Sequence, residues 1–451
     1  MSLNALRFAS AVATVVICLA VTGPALASTL RQTVHSIPVG PLPEQNPLKG
    51  LIAYSDAYSF PHSMDWFYLP VNSVQKGPDT FDWSALEAQL NAVAARGDQA
   101  CFRFYYDYPA QPNGIPAYLL ASGREQLKTT AYTDYGGGEC PDYNSDAPGS
   151  RRFRASMQKF IAAFGAKYDG DPRIGYITVG LLGFWGEWHT YPHVDWTPSD
   201  STMNLVLDSY VKAFHKTRLL VRYPAASAPT LPIGYHDDAF CYETLYRHDW
   251  EFAARLKTAK VSDIWQTQPI GGEIMPDVQG EVFSRSGDAQ LEPWSDCAAA
   301  VHPTWMLDDK IKSYTGAECD AAIRASSEMG YNFRVKTATY GDIPRSRPLR
   351  FGVHIDNIGI APFYYRWKVL AGVLKNGRLV KSWSTGWDIT RIAAGSGVDY
   401  AFAAAKPGLA PGTYTLAIRV VNPLRTGKPL LFANAGQSPN GWLSLKSIKV
   451  D

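Results

Sequence analysis

The sequence predicts an α/β protein: a (β/α)8 barrel of TIM type, followed by a C-terminal antiparallel, immunoglobulin-like β-sandwich. Three observations predict it. Upstream of Gly330, strand-like apolar runs alternate with helical stretches, a grammar that implies parallel strands with right-handed crossovers. Eight such runs fall between residues 50 and 330, which suits one barrel better than an open sheet. From Tyr331 onward the helical periodicity stops and short runs separated by turns take over.

The first segment reads as an address. Arg7 sits in a short n-region, Phe8 to Val21 is apolar, and Pro24-Ala25-Leu26-Ala27 ends in a small-x-small pattern. A signal peptide, residues 1–27, cleaved after Ala27, is expected, with export to the periplasm or medium of a bacterium; a retained N-terminal anchor is the alternative. No later stretch approaches the roughly 18 apolar residues a spanning helix needs. Residues 28–330 are then assigned to the barrel and 331–451 to the sandwich.

Strand-like runs are Gly50–Tyr54, Trp66–Pro70, Gln99–Tyr105, Ile174–Gly180, Leu219–Tyr223, Ala239–Tyr242, Ile264–Thr267 and Thr304–Leu307. Helical stretches are Ser84–Arg96, Phe153–Tyr168, Met203–His215, Trp250–Lys260 and Ala317–Met329. Ser84 with Glu87 has the form of a capping box. Downstream, Leu349–Ile355, Tyr364–Leu370, Leu379–Ser384, Val398–Phe402, Thr413–Val421 and Trp442–Val450 read as sandwich strands. Turns such as Lys375-Asn376-Gly377 and Pro411-Gly412 divide them.

Composition excludes several classes. The 451 residues are 46% hydrophobic and 19% charged, so the chain can bury a large core and is not disordered. Lys+Arg 43 against Asp+Glu 41 gives a net charge of +2, without the concentrated basic face that a nucleic-acid partner requires. Aromatics at 13% fit a protein that stacks on sugar rings, and equally a large core. Cys101, Cys140, Cys241, Cys297 and Cys319 remain after cleavage, an odd number; Cys297 with Cys319 and Cys101 with Cys140 are the candidate disulfides. No CxxC or Cys/His spacing suggests zinc, and no cofactor or metal is expected. Phosphate-cradle, Rossmann and serine-elbow signatures are absent; Gly136-Gly137-Gly138 reads as a loop over the barrel mouth.

A barrel gathers its chemistry at the C-terminal ends of its strands. After the fourth run comes Gly183-Phe184-Trp185-Gly186-Glu187-Trp188-His189, a carboxylate between two tryptophans. An apolar wall raises a carboxyl pKa and so favours a proton donor. After the seventh comes Gln268-Pro269-Ile270-Gly271-Gly272-Glu273, a second carboxylate reached through what reads as a Gly-Gly turn. One protonated and one ionised carboxylate are the minimum equipment for cleaving a glycosidic bond. Glu187 is therefore expected as acid/base and Glu273 as nucleophile. Trp185, Trp188, His189, Arg103, Tyr105, Asp107, Glu243, Trp265 and Trp305 are the candidate substrate-binding residues; Glu243 also competes for the nucleophile role. Arg222 is ambiguous between a site role and a buried structural pair. His189 and His193 mimic a metal pair, but Pro192 argues against a helix there.

The pattern resembles the clan A glycoside hydrolases, which place an acid/base Glu after strand four and a nucleophile after strand seven. Phe81-Asp82-Trp83-Ser84-Ala85-Leu86-Glu87 is similar to an early segment of family-42-like β-galactosidases. Asn46-Pro47-Leu48-Lys49-Gly50, Gly186-Glu187-Trp188 and Gly272-Glu273, with a terminal sandwich, resemble the bacterial family catalogued as domain of unknown function 4832. The chain departs from clan A in carrying Gly186, not Asn, before Glu187. These resemblances imply a secreted two-carboxylate glycosidase, retaining if the carboxyl groups lie about 5–5.5 Å apart. The alternatives are a non-catalytic barrel that binds polysaccharide and a surface assembly protein that uses its sandwich as a contact face. Carbohydrate is the expected partner; sugar, linkage and oligomeric state are not legible.

Overall fold

The computed structural model describes residues 33–284, 290–343 and 347–451, so the segment read as a signal peptide lies outside the described residues. Eight parallel strands form the first unit: β1 (Gly50–Ile52), β2 (Met64–Pro70), β3 (Gln99–Tyr105), β4 (Ile174–Thr178), β5 (Arg218–Val221), β6 (Gly234–Phe240), β7 (Ile270–Ile274) and β8 (Trp305–Leu307). Their hydrogen-bonded order runs β1-β8-β7-β6-β5-β4-β3-β2. The ring closes just above β1. There Tyr54 bridges Trp66, Trp66 N donates to Ala53 O at 2.9 Å and Ser55 N donates to Trp66 O at 2.7 Å. The result is a nearly closed (β/α)8 barrel.

Helices α1 (Ser84–Ala95), α2 (Pro148–Tyr168), α3 (Asp200–Ala213), α4 (Phe252–Thr258), α5 (Trp294–Val301) and α6 (Gly316–Glu328) follow β2, β3, β4, β6, β7 and β8. The segments after β1 and after β5 carry no α-helix among the described residues. α1 starts without the expected capping box. Asp82 Oδ1 accepts Ser84 N at 3.0 Å, while Glu87 turns outward to Arg173 and Tyr168.

Two strands differ from the sequence reading. Ile264–Gln266 is a 3-10 turn, and β7 begins only after Pro269. Gly271 and Gly272 are thus strand residues rather than a turn, and close approach explains both. A Cβ on Gly271 would sit 2.2 Å from the Trp305 indole, and one on Gly272 2.2 Å from Asp237 O. β6 starts five residues earlier than read, because the polar run His236-Asp237-Asp238 hid it.

The downstream strands are β9 (Phe333–Tyr340), β10 (Leu349–Asn357), β11 (Val369–Lys375), β12 (Arg378–Ser384), β13 (Gly397–Ala404), β14 (Gly412–Val420) and β15 (Leu443–Val450). They form two four-stranded antiparallel sheets, one of which is completed by Thr33–Ser36 paired against β9. An N-terminal strand therefore belongs with the C-terminal sheets. β10 alternates buried and partly exposed residues along its length, as one wetted face requires. The β11–β12 hairpin turns at Asn376 and Gly377, both at positive φ, as the Asn-Gly pair demands. Tyr364–Trp367, read as strand, instead leans on the barrel floor: Tyr365 Oη accepts Arg218 N at 3.0 Å and donates to Gly175 O.

The core has two parts. Phe102, Phe104, Phe160 and Phe164 pack between strands and helices, whereas Trp66, Cys101, Tyr176 and Trp305 fill the barrel bore and run on into the sandwich core. Neither expected disulfide is formed; all five described cysteines are free thiols. Cys297 Sγ instead donates to Glu292 Oε2 at 3.6 Å.

Candidate functional site

Strand alternation decides what reaches the bore. Trp66 and Tyr68 on β2, Cys101, Arg103 and Tyr105 on β3, His236 and Asp238 on β6, and Gly271 and Glu273 on β7 all share the inward parity. Phe102 and Phe104 point the other way, into the helix layer. A polar cluster thus sits over an aromatic plug, at the end of the strands where a barrel carries its chemistry.

Arg103 is the hub. Its side chain is 2% exposed, and Nη1 donates to Glu187 Oε1 at 2.9 Å. Nη2 lies 3.4 Å from Asp238 Oδ1 and 3.3 Å from His236 Nδ1, and the guanidinium stands over the rings of Trp66 and Tyr68 at 5.6 and 5.8 Å. Burial alone would lower its pKa, but Tyr68, Asp238 and Glu187 raise it, so it stays cationic. Arg222 ion-pairs with Asp238 Oδ2, and His236 Nδ1 lies 2.5 Å from Asp238 Oδ1. Burial opposes the Asp238 carboxylate, yet Arg222, His236 and Arg103 hold its pKa far below the ordinary range. His236, by contrast, is pushed down by burial and is neutral.

Glu187 and Glu273 stand in opposite environments. Glu187, its side chain 13% exposed, is clamped by Arg103, with His189 Nε2 at 3.7 Å from Oε2. Glu273, 7% exposed, has no cation in contact among the described residues; Gln279 Nε2 lies at 3.5 Å from its Oε1. Burial raises its pKa well above the carboxylate range, and the nearby charges of Glu187 and Asp238 raise it further against the pull of Arg103. Glu187 is thus ion-paired to Arg103, whereas burial favours the protonated form of Glu273. Tyr54, Tyr68 and Tyr108 surround the pair, and burial raises the pKa of each.

The other candidates separate. Trp185 stands edge-on to Tyr108 and Tyr135 and tilts over His189, and Tyr105 packs on Tyr108, so these border the cluster. Asp107 is buried just beyond β3, accepts Tyr132 Oη at 2.7 Å and is pushed to about 6 by burial. Trp188 does not face it: 1% exposed, its indole donates to Val179 O at 2.8 Å. The wall expected to raise Glu187 is thus turned into the core. Trp305 is fully buried in the bore against Trp66 and His236. Trp265 precedes β7 and stacks on His302 at 3.8 Å, at the opposite end of the barrel, because strand β7 begins later than read. Glu243 is exposed and lines a cavity of about 80 Å³ beside the cluster, with Arg222, Asp238, Trp250 and Arg255. His193 pairs with Asp134 at 2.8 Å rather than with His189.

The sequence reading missed His236, Asp238, Tyr54, Tyr68 and Tyr108. A signal for the first two existed: acidic and imidazole side chains inside a strand have to face one another or a ligand.

Fold and cluster define an eight-stranded parallel barrel protein with a carboxylate pair at one end and antiparallel sheets appended. No family model matches the chain, so the resemblance to domain of unknown function 4832 stands on its short motifs alone. No curated protein matches it either. Among solved structures, an endoglucanase from Pseudomonas stutzeri aligns at 9% identity and TM-score 0.34, over 59% of this chain and 81% of that one. Xylanase B from Clostridium stercorarium F9 aligns at 11% and 0.30, over 57% and 85%. A glucosidase from Croceicoccus marinus aligns at 9% and 0.31, over 83% and 97%. At such scores the assignment of fold rests on the strand order itself. No helix of the described residues is long and apolar enough to cross a membrane.

Proposed function

We propose that the protein is an exported glycoside hydrolase that cleaves O-glycosidic bonds of an oligo- or polysaccharide with Glu273 and Glu187. The observation that carries this reading is the opposed environment of two carboxyl groups around one buried arginine. Glu273, kept neutral by burial, is suited to protonate the leaving oxygen. Glu187, held by Arg103 at 2.9 Å, is suited to attack the anomeric carbon or to activate water. The roles are the reverse of those expected from the tryptophans flanking Glu187, because Trp188 faces the core. Trp185, Tyr105 and Tyr108 offer aromatic faces for sugar rings. Cleavage of the leader after Ala27 would deliver the barrel and its appended antiparallel sheets to the compartment where polysaccharide is met.

The test is a screen of the mature protein against a polysaccharide panel with product analysis, repeated on Glu187→Gln and Glu273→Gln. Turnover that both variants lose while keeping ligand binding supports the reading. Binding by the wild type with no released reducing ends on any substrate overturns it in favour of a non-catalytic carbohydrate-binding barrel.

A further inference from the structure

Far from the carboxylate pair, three buried side chains converge outside the barrel wall. His62 lies in the helix-free connection between β1 and β2, Asp65 on β2, and Asp98 between α1 and β3; they are 9%, 0% and 1% exposed. His62 Nε2 is 3.4 Å from Asp98 Oδ2 and 3.8 Å from Asp65 Oδ1, and all three ligand atoms lie within 4.8 Å of one another.

Each group is held from behind. His62 Nδ1 donates to Phe60 O at 2.6 Å, which leaves Nε2 as the atom aimed at the carboxylates, and its ring is stacked on Tyr58 at 3.9 Å. Arg96 takes Asp65 Oδ2 at 2.5 Å, and Lys428, reaching in from the sandwich, takes Asp98 Oδ1 at 2.5 Å. Tyr58 Oη donates to Asp65 Oδ1 at 3.3 Å. What remains is a lone pair and two carboxylate oxygens facing a common point. His62 Nε2 and Asp98 Oδ2 are buried there without a hydrogen-bond partner.

A buried acceptor set of this kind is costly unless a cation sits among it. We propose that His62, Asp65 and Asp98 bind a divalent transition-metal ion, Zn2+ foremost, that pins the β1–β2 connection to α1 and the sandwich. Imidazole and carboxylate ligands suit zinc, and bonds of about 2.0–2.1 Å in a tetrahedron set ligand atoms roughly 3.3–3.4 Å apart. The observed 3.4 and 3.8 Å exceed good hydrogen bonds and approach that edge. The carbonyl behind Nδ1 and the cations behind the carboxylates are the outer partners that orient metal ligands. The site lies on the wall, outside the carboxylate cluster, and a water would complete the fourth position.

The experiment is titration of chelator-treated, full-length mature protein with Co2+, then Zn2+. We expect one Co2+ per chain with the intense visible absorption of tetrahedral coordination, displaced by one equivalent of Zn2+, and a Tm raised by a few degrees. His62→Gln is expected to lose the absorption and the Tm rise. Because a ligand variant can fail to fold, the wild-type spectrum is decisive by itself. Wild-type protein that binds no Co2+ or Zn2+, or a folded His62→Gln variant with unchanged stoichiometry, overturns the proposal and leaves a plain His62–Asp98 contact.

Discussion

Arg103 Nη1 and Glu187 Oε1 meet at 2.9 Å, joining a strand interior to the loop after the next strand of the sheet. This pair sits at the centre of the polar cluster. A guanidinium buried to 2% is tolerated only because Glu187, Asp238 and the π-faces of Trp66 and Tyr68 surround it.

Removing that cation exposes the dependence. Arg103→Met leaves Asp238 and Glu187 with one fewer counter-charge in a buried site, and a loss of about 3–5 kcal/mol is expected. Urea denaturation measures it. Arg103→Lys is expected to keep most of the stability but lose the two-pronged contact, lowering turnover more than stability. Equal losses in the two variants would contradict the role assigned to the fork.

The proton on Glu273 is directly observable. Infrared difference spectra at neutral pH should contain the C=O stretch of a protonated carboxyl that disappears in Glu273→Gln. In Glu187→Gln the same band should titrate at lower pH, since the Glu187 charge helps to raise the Glu273 pKa. On substrates that the protein cleaves, loss of this acid is expected to cost about 10²–10⁴ in kcat.

Stability should fall as the solution becomes more alkaline. Burial raises Asp237 to about 8 and Asp308 to about 7, and raises Glu273 as well. Below the ordinary carboxyl values, folded and unfolded chains are equally protonated at these sites. Above them the unfolded chain releases protons that the folded one retains, so each group withdraws about 1.4 kcal/mol per pH unit until its folded value is passed. Denaturation midpoints measured from pH 5 to 8 should decline, and Glu273→Gln should flatten the slope.

Gly271→Ala tests the packing beneath Glu273. The new methyl would fall 2.2 Å from the Trp305 indole, so β7 or the ring has to shift. A loss of at least about 1–3 kcal/mol is expected, with altered tryptophan emission and a displaced Glu273 that lowers turnover. Unchanged Tm and emission would show that the bore is looser than this contact implies.

The alternation of apolar runs and helical stretches was enough to read eight parallel strands, because period-2 and period-3.6 patterning is a local property of the chain. The Asn376-Gly377 hairpin was legible for the same reason. β6 and β7 were misplaced because His236, Asp237, Asp238 and the two glycines look like loop when burial is invisible. β9, which the sequence reading left out, and the Thr33–Ser36 strand reflect pairing across the length of the chain, which no window of residues contains.

The same division holds at the site. That Glu187 and Glu273 are carboxylates near strand ends is written in the chain by itself. Their different surroundings arose only when β3 brought Arg103 to Glu187 and the fold buried Glu273. The facing of Trp188 into the core, and the meeting of His62, Asp65 and Asp98 with Lys428 from a distant sheet, were settled in the same way. Ionisation and convergence depend on distances between residues far apart in sequence, and only the folded chain sets those distances.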